Sequence, residues 1–310
     1  MSASVRRQAP CAACGMALVA VLWIVAALSI FAMGLAGATR AEIRSAQGAR
    51  AFAEAAAYGD AAIELAVREL HFAEKTIDRS FATAYEIDGR RIGVRISPGG
   101  GYVDLNGASQ ALLHDLFAFG AGLESDQAET LAQRVVDWRD ADDEPLPLGA
   151  EDADYEAAGV AFRTRGGPFE TPEDLLQVLG VSFDTYDKIR DLLTTWTGAG
   201  GIDPLAAPPA MFKILAPGDL RAAETYLALR EAGEPAIDTT AFNQEHILLS
   251  SGSIFRLEAS YPADQGRVLA RVRWVDAATP GIAGLPWRTL RIEPVRSIPM
   301  KGGNGGGNGA

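Results

Sequence analysis

The strongest pattern in this chain is an uncharged apolar run near its N-terminus, from Met16 to Ala38. About 20 apolar residues in a helix are enough to cross the hydrocarbon core of a membrane, so this run is long enough to span one. Beyond it the sequence stays rich in Ala, Leu, Glu and Arg, which favour helix, and has no proline until Pro98. The pattern predicts one helix from Met16 to about Glu74. Residues 16–38 would serve for lipid or helix packing, and the rest for water or a protein surface.

Period-two alternation of apolar and polar residues predicts strands in two separated segments. Tyr85–Ile96 reads as a hairpin about Asp88 and Gly89, a pair typical of a type I′ turn. Near the other end of the chain, residues 254–261 and 267–275 flank a polar loop and predict a second hairpin. Residues 287–295 predict a further strand, with Leu290 and Ile292 facing inward.

Between these segments, residues 104–250 show the i, i+3, i+4 apolar spacing of helices. Phe119–Leu123 has a Gly-x-Gly centre between two short helical patterns, as in helix-hairpin-helix or SAM-like units. A weak repeat relates Val103–Leu113 to Ile202–Phe212, which favours two such units in tandem.

The order of these segments predicts an α+β fold. The long N-terminal helix would pack on a small antiparallel sheet made by residues 81–103 and 251–297, with the helical domain inserted into that sheet. The glycine-rich end, residues 298–310, predicts a disordered tail.

The residues before the apolar run narrow its interpretation. Two arginines and no acid precede the run, which places the N-terminus in the cytoplasm and the remainder outside. An ordinary uncleaved signal anchor would have this pattern too. A short basic leader, residues 1–15, that ends in Gly15 directly before Met16 also resembles the type IV prepilin pattern. In that pattern a prepilin peptidase cuts between these two residues and Met16 becomes the N-methylated end.

The helix that such a cut retains would anchor the protein and later pack in a filament. Leu18 and the small residues Ala20, Gly34 and Gly37 are the candidate packing positions. Pilin-like proteins usually carry Glu at the fifth mature position, where this chain has Ala20. An unpaired buried carboxylate is costly, so a subunit with no neighbour above it gains by omitting it. Ala20 therefore either weakens the pilin interpretation or indicates the subunit at the tip.

Composition limits the classes of function. The formal net charge of −12 argues against nucleic-acid binding, since phosphate contacts need clustered Lys and Arg. His71, His114 and His246 are far apart, and the H-E-x-x-H, G-x-S-x-G and P-loop motifs are missing from the sequence, so we expect no enzyme. The two cysteines, Cys11 and Cys14, fall in the predicted leader.

An acidic stretch, residues 137–156, contains nine acids and one base. Two prolines and a glycine in its middle predict a loop, and so dense a set of carboxylates repels itself. A hard cation such as Ca²⁺, which takes six to eight oxygens, would relieve the repulsion, although a solvated acidic loop would read the same way. The candidate ligands are Asp137, Asp140, Asp142, Asp143, Glu151, Asp152 and Asp154.

Together these pieces resemble the K-type minor pseudopilins of type II secretion systems (general secretion pathway protein K), over roughly Gly15 to Ile292. The resemblance rests on four segments: CGMALVAVLWIVAALSIFAMGL (14–35), YVDLNGASQALLHDL (102–116), VVDWRDADDEPLPLGAEDADYEAAGV (135–160) and FRTRGGPFETPEDLLQVLGVSFDTYDKIRDLLT (162–194). Members of this family similarly lack Glu at the fifth mature position, and their helical domain is reported to bind calcium.

The resemblance implies a structural subunit at the tip of a short periplasmic filament that supports export of folded proteins across the outer membrane. Its implied partners are the I- and J-type minor pseudopilins, other type II secretion components, the prepilin peptidase and the inner membrane, which it would cross once. The alternatives are a type IV pilus minor pilin and a membrane-anchored periplasmic binding or adhesion protein.

Overall fold

The structure is a computed structural model that describes residues 13–73, 77–249, 252–263, 266–281 and 284–298. The chain divides into two compact units, Met1–Glu54 and Ala55–Ala310. The predicted leader, apart from its last residues, and the glycine-rich tail beyond Ile298 lie outside the described residues.

The long predicted helix is present as α1, Ala13–His71, and ends three residues before the predicted end. In the first unit, the large apolar side chains described between Leu18 and Met33 are all exposed. Arg50 and Glu54 form an ion pair one helical turn apart. In the described ranges, no helix combines the length and the apolar character that a membrane crossing requires.

The second unit contains an antiparallel sheet and a helical domain. Its strands are β1 Phe81–Ile87, β2 Arg90–Pro98, β3 Val103–Asp104, β4 Leu193–Thr194, β5 Ile254–Pro262, β6 Val268–Asp276, β7 Arg288–Ile292 and β8 Arg296–Ile298. Its helices are α2 Gln110–Asp115, α3 Ser125–Arg139, α4 Asp152–Ala157, α5 Phe183–Ile189, α6 Phe212–Leu215 and α7 Leu220–Glu231. Short segments of 3-10 helix and one π turn, Leu116–Gly120, connect them.

The predicted hairpins and the predicted insertion are both present. Asp88 and Gly89 have φ of 50° and 74°, the left-handed values that a type I′ turn requires. The six-stranded sheet runs β1-β2-β5-β6-β7, with β8 also paired to β6. Because β2 pairs directly with β5, the chain leaves the sheet after Pro98, builds the helical domain, and returns to the adjacent position. The prediction that Ile292 faces inward is wrong, since its side chain is half exposed at the sheet edge.

The C-terminal part of α1, from Ala55 onward, packs on one face of this sheet. Ala62, Ile63 and Val67 are fully buried, as are Ile92 and Ala259 on the strands beneath. Strand residues alternate between the two faces, so Val272 and Trp274 lie on the opposite face, where Trp274 contacts Tyr102 edge to face. The sheet is therefore covered by α1 on one side and by the start of the helical domain on the other.

The repeat read from the sequence is a structural repeat. Asp104 is fully buried, and its carboxylate accepts a hydrogen bond from the Asn106 backbone N–H at 2.8 Å. Asp203 is also buried and accepts from Leu205 N–H at 2.9 Å in the same i to i+2 relation. Each aspartate thus turns the chain at the start of one helical unit.

Candidate metal site

The acidic stretch folds back over the end of α3. Asp137 is buried in the last turn of this helix and accepts backbone hydrogen bonds from Leu146 at 3.1 Å and Ala150 at 2.8 Å. A Cβ on Gly149 would lie 1.7 Å from the Asp137 carboxylate, so only glycine allows this approach. The buried carboxylate of Asp137 therefore shapes the loop that carries the other acids.

Two further acids fix the far side of the loop, where the structure has a short helix, α4, that the sequence did not predict. Asp154 accepts a hydrogen bond from the Glu151 backbone N–H at 2.9 Å, half of a capping box at the start of α4. Asp152 accepts from Thr164, from its backbone N–H at 3.0 Å and its hydroxyl at 2.9 Å. Both carboxylates are engaged in holding backbone.

Three acids converge where these two sides meet. Asp140, Asp142 and Glu151 each place a carboxylate oxygen within 4.8 Å of the other two. Glu151 is only 4% exposed, yet its Oε1 has no hydrogen-bond partner among the described residues, and neither does Oδ1 of Asp140. A buried carboxylate oxygen without a donor is costly, because it has lost its water and gained nothing in exchange.

The electrostatics of the cluster follow from this arrangement. Burial, together with the charges of Asp137, Asp140 and Asp143, raises the pKa of Glu151 to about 7, against a hydrogen bond from Thr164 that lowers it. Burial and the neighbouring carboxylates also raise the pKa of Asp140. Burial raises the pKa of Asp137 as well, although its bonds to Leu146 and Ala150 oppose the shift. Without a bound cation, these raised pKa values oppose full ionisation of the cluster at neutral pH.

The cluster suits a hard cation. The three carboxylates have two unpaired buried oxygens and provide negative charge and free lone pairs. Ca²⁺ prefers oxygen ligands of this kind over nitrogen or sulfur ligands. Ca²⁺ takes six to eight oxygens, so water and further protein oxygens would have to complete the shell.

The seven predicted ligands thus divide into three groups. Asp140, Asp142 and Glu151 are brought together. Asp137, Asp152 and Asp154 lie around them and hold the loop by hydrogen bonds. Asp143 is exposed beside the cluster. Their spacing along the chain did not indicate which acids would fall into which group.

The predicted cleavage and packing residues fall on α1. Leu18 is 73% exposed, and Ala20, two residues further along, is also exposed. Gly15 and Met16 lie in the first turn of the helix, and Gly34 and Gly37 in its middle, but their surroundings lie outside the described part of the structure.

One polar cluster was not foreseen from the sequence. Asp115 bridges two histidines, with Oδ1 2.9 Å from Nδ1 of His114 and Oδ2 2.8 Å from Nε2 of His246. His246 is 1% exposed and lies far along the chain from the other two residues. No local signal could have predicted this pairing, which ties α2 to the end of the helical domain.

A helix packed on an antiparallel sheet, with a helical domain inserted between two adjacent strands, is a pilin-like fold with an insertion. Residues 104–198 match the protein-family model described as "Type II secretion system (T2SS), protein K". This segment is therefore a domain of that kind, and it contains the whole acidic cluster.

Two similar proteins agree with this assignment. A stretch of 68 residues is 38% identical to the type II secretion system protein K of Pectobacterium carotovorum subsp. carotovorum, covering 22% of this chain and 21% of that protein. The match thus spans about a fifth of that relative's length. The fold is similar to a chain of the GspK–GspI–GspJ complex from the enterotoxigenic Escherichia coli type 2 secretion system. The TM-score is 0.53 at 16% identity, over 81% of this chain and 98% of that one. The resemblance to type II secretion protein K stated from the sequence is confirmed.

Proposed function

We propose that this protein is a minor pseudopilin that caps the pseudopilus of a type II secretion system. The carrying observation is that the segment matching protein K, residues 104–198, lies in a helical domain inserted between β2 and β5 of a pilin-like sheet. Its role would be structural, supporting the export of folded proteins across the outer membrane, and no catalytic step is assigned to it.

The N-terminal half of α1 supports this function. Its large apolar side chains, such as Leu18 and Trp23, are 73% exposed, which is unfavourable in water and favourable in lipid or against other helices. We propose that this half crosses the inner membrane once, with residues 1–15 in the cytoplasm until a prepilin peptidase cuts before Met16 and the new end is methylated. After assembly it would pack against the helices of I- and J-type minor pseudopilins.

Two features favour the tip position. Ala20 removes the carboxylate that would pair with the amino terminus of a subunit above. The inserted helical domain, residues 104–250, adds bulk on top of the sheet that a plain pilin fold lacks. A subunit with both features gains nothing from a neighbour above it.

The acidic cluster would order the helical domain. Asp140, Asp142 and Glu151 would hold Ca²⁺, whose positive charge would offset their mutual repulsion. Asp137 and Asp154 already fix the backbone on both sides of the cluster. The ion would therefore lock a loop that the chain has pre-shaped, rather than fold it from an open state.

The first experiment is the mass of the N-terminus after expression with and without a prepilin peptidase. We expect a new, N-methylated end at Met16 that depends on the enzyme. An intact Met1, or a cut beyond Ala38 by ordinary signal peptidase, would contradict the assignment as a pseudopilin. The protein would then be a membrane-anchored or secreted acidic binding protein.

A second experiment separates the type II system from a type IV pilus. The full chain is co-expressed with I- and J-type minor pseudopilins and purified through a tag on the I-type partner. We expect co-purification that is abolished by Leu18→Asp, since a charge on the apolar face cannot be paired there, and kept by Leu18→Ile. Processing at Met16 without co-purification would support a type IV minor pilin instead.

A further inference from the structure

The first strand of the sheet, β1, has one free edge. It pairs with β2 over its whole length, from Phe81 opposite Ile96 to Ile87 opposite Arg90. It is the terminal strand of the six-stranded sheet, and among the residues that the structure describes no other strand or loop makes backbone hydrogen bonds to it. One row of its backbone groups therefore faces away from the sheet.

The hairpin register shows which groups these are. Ile87 and Arg90 flank a two-residue turn, so they form the closing hydrogen-bonded pair. Hydrogen-bonded and non-hydrogen-bonded pairs alternate from there, which turns the N–H and C=O groups of Ala82, Ala84 and Glu86 outward. These six groups form a template for one more strand.

This edge lacks the usual protection against pairing. Exposed edges are commonly blunted by proline, lysine, bulges or inward charges. The sequence of β1, FATAYEI, has one charge, on Glu86, and its register with β2 is continuous. The opposite side of the sheet does carry such features, since β7 is joined through a register shift and presents the exposed Arg288. This difference between the two edges of the sheet favours β1 as the edge that binds another strand.

The side chains beside this edge select the charge of the partner. Arg91 and Arg95 are exposed on the face away from α1, with Gly93 between them. Ala82 and Ala84 of β1 lie opposite Arg95 and Gly93, so the surface between Arg95 and the free edge is low, whereas Glu86 lies directly opposite Arg91. Arg95 has no acidic residue opposite it on β1, and in the part of the chain that the structure describes neither arginine has an ion pair within 4.0 Å.

We propose that β1 binds an extended acidic segment of a partner protein as an added edge strand. The backbone of the segment would pair with Ala82, Ala84 and Glu86. Acidic side chains at alternate positions would lie over Ala82 and Ala84 and face Arg95, about 10 Å from the added strand, while Arg91 would offset the charge of Glu86. A second copy of β1 fits less well, because it would bring a single acid and two further arginines to the same face. This edge would bind such a segment whether or not the chain caps a pseudopilus.

The probe is a ten-residue peptide of alternating Glu and Val, titrated into the full-length protein, with alternating Lys and Val as control. We expect the Glu peptide to bind at least tenfold more tightly and to protect the amides of Ala82, Ala84 and Glu86 from hydrogen exchange. Arg91→Glu with Arg95→Glu should reverse the preference between the two peptides.

A matched pair of variants tests the backbone contacts. Ala84→Pro removes an outward N–H and leaves the ladder to β2 intact, because edge strands tolerate proline where the N–H faces solvent. Ala84→Pro should weaken binding of the Glu peptide at least tenfold and leave the circular dichroism spectrum unchanged. Ala84→Thr keeps the N–H and should bind the peptide as tightly as the original chain does. Equal binding of both peptides, no binding of either, or full binding by Ala84→Pro would overturn the proposal. A concentration-dependent dimer that Ala84→Pro abolishes would overturn it in favour of a second copy.

Discussion

Asp60 of α1 and Arg271 of β6 are joined by two parallel hydrogen bonds, each 2.9 Å long, from Nε to Oδ1 and from Nη2 to Oδ2. Arg273, two residues along the same strand, donates to the same carboxylate and to Glu64 one turn further along the helix. Burial raises the pKa of Asp60, but the hydrogen bonds and positive charges of the two arginines outweigh this effect. The pKa of Asp60 therefore lies below its usual range. The long helix is thus fixed to the sheet by charge as well as by apolar packing.

Asp60→Ala should lower the free energy of unfolding by about 2 kcal/mol, since it leaves two largely buried arginines without their shared acceptor. Urea denaturation monitored by circular dichroism measures this change. Glu54→Ala is the control, because its partner Arg50 is 81% exposed and such pairs contribute less than about 0.5 kcal/mol. Equal effects of the two substitutions would contradict the role assigned to Asp60.

Gly59 allows α1 to approach β6 closely. A Cβ on this residue would lie 2.6 Å from the Cβ of Arg271, so Gly59→Ala must move the helix and should cost roughly 1–3 kcal/mol. Gly48→Ala in the same helix meets nothing within 4 Å and should stabilise by up to about 1 kcal/mol through helix propensity. Thermal unfolding of both variants measures the difference. A Gly59→Ala protein as stable as Gly48→Ala would show that the helix does not need this contact.

The metal proposal predicts a calcium-dependent increase in stability. Calcium at 100 times its dissociation constant should add about 2.7 kcal/mol to the free energy of unfolding. Asp140→Asn with Asp142→Asn should abolish the increase, since it removes two of the three converging carboxylates. Asp143→Asn, one residue along the same loop, should keep it. A loss of the increase in Asp143→Asn alone would place the ion elsewhere in the loop.

The raised pKa of Glu151 predicts how the stability of the protein depends on pH when calcium is removed by a chelator. Its pKa in the folded protein is about 7, above the ordinary 4.5, so the folded state holds its proton more tightly than the unfolded state does. Stability should therefore fall as pH rises from about 4.5 to 7, by at most roughly 3 kcal/mol, with the penalty fully present above pH 7.

Glu151→Gln checks this assignment, because its neutral side chain should flatten the pH profile between 4.5 and 7. The same variant should lose part of the calcium-dependent stabilisation. The pKa of Asp152 is lowered by its hydrogen bonds to Thr164, so its titration falls below this pH window. An unchanged slope in Glu151→Gln would assign the dependence to Asp137 or Asp140.

The sequence by itself determined the local elements and their order. The Asp88-Gly89 turn was readable because few residues adopt positive φ, and the helical block was readable because residues 104–250 show the i, i+3, i+4 apolar spacing of helices. The insertion followed from strand patterns on both sides of a helical block. The density of acids in residues 137–156 indicated the candidate site as a region.

The tertiary structure decided which of those residues meet. Carboxylates look alike in a sequence, and only the fold shows that Asp137 and Asp154 bind backbone while Asp140, Asp142 and Glu151 face one another. The bridge from Asp115 to His246 spans distant parts of the chain, beyond the range of any periodic pattern. The free edge of β1 likewise depends on the strand order, because a strand's own residues do not state how many neighbours it will have.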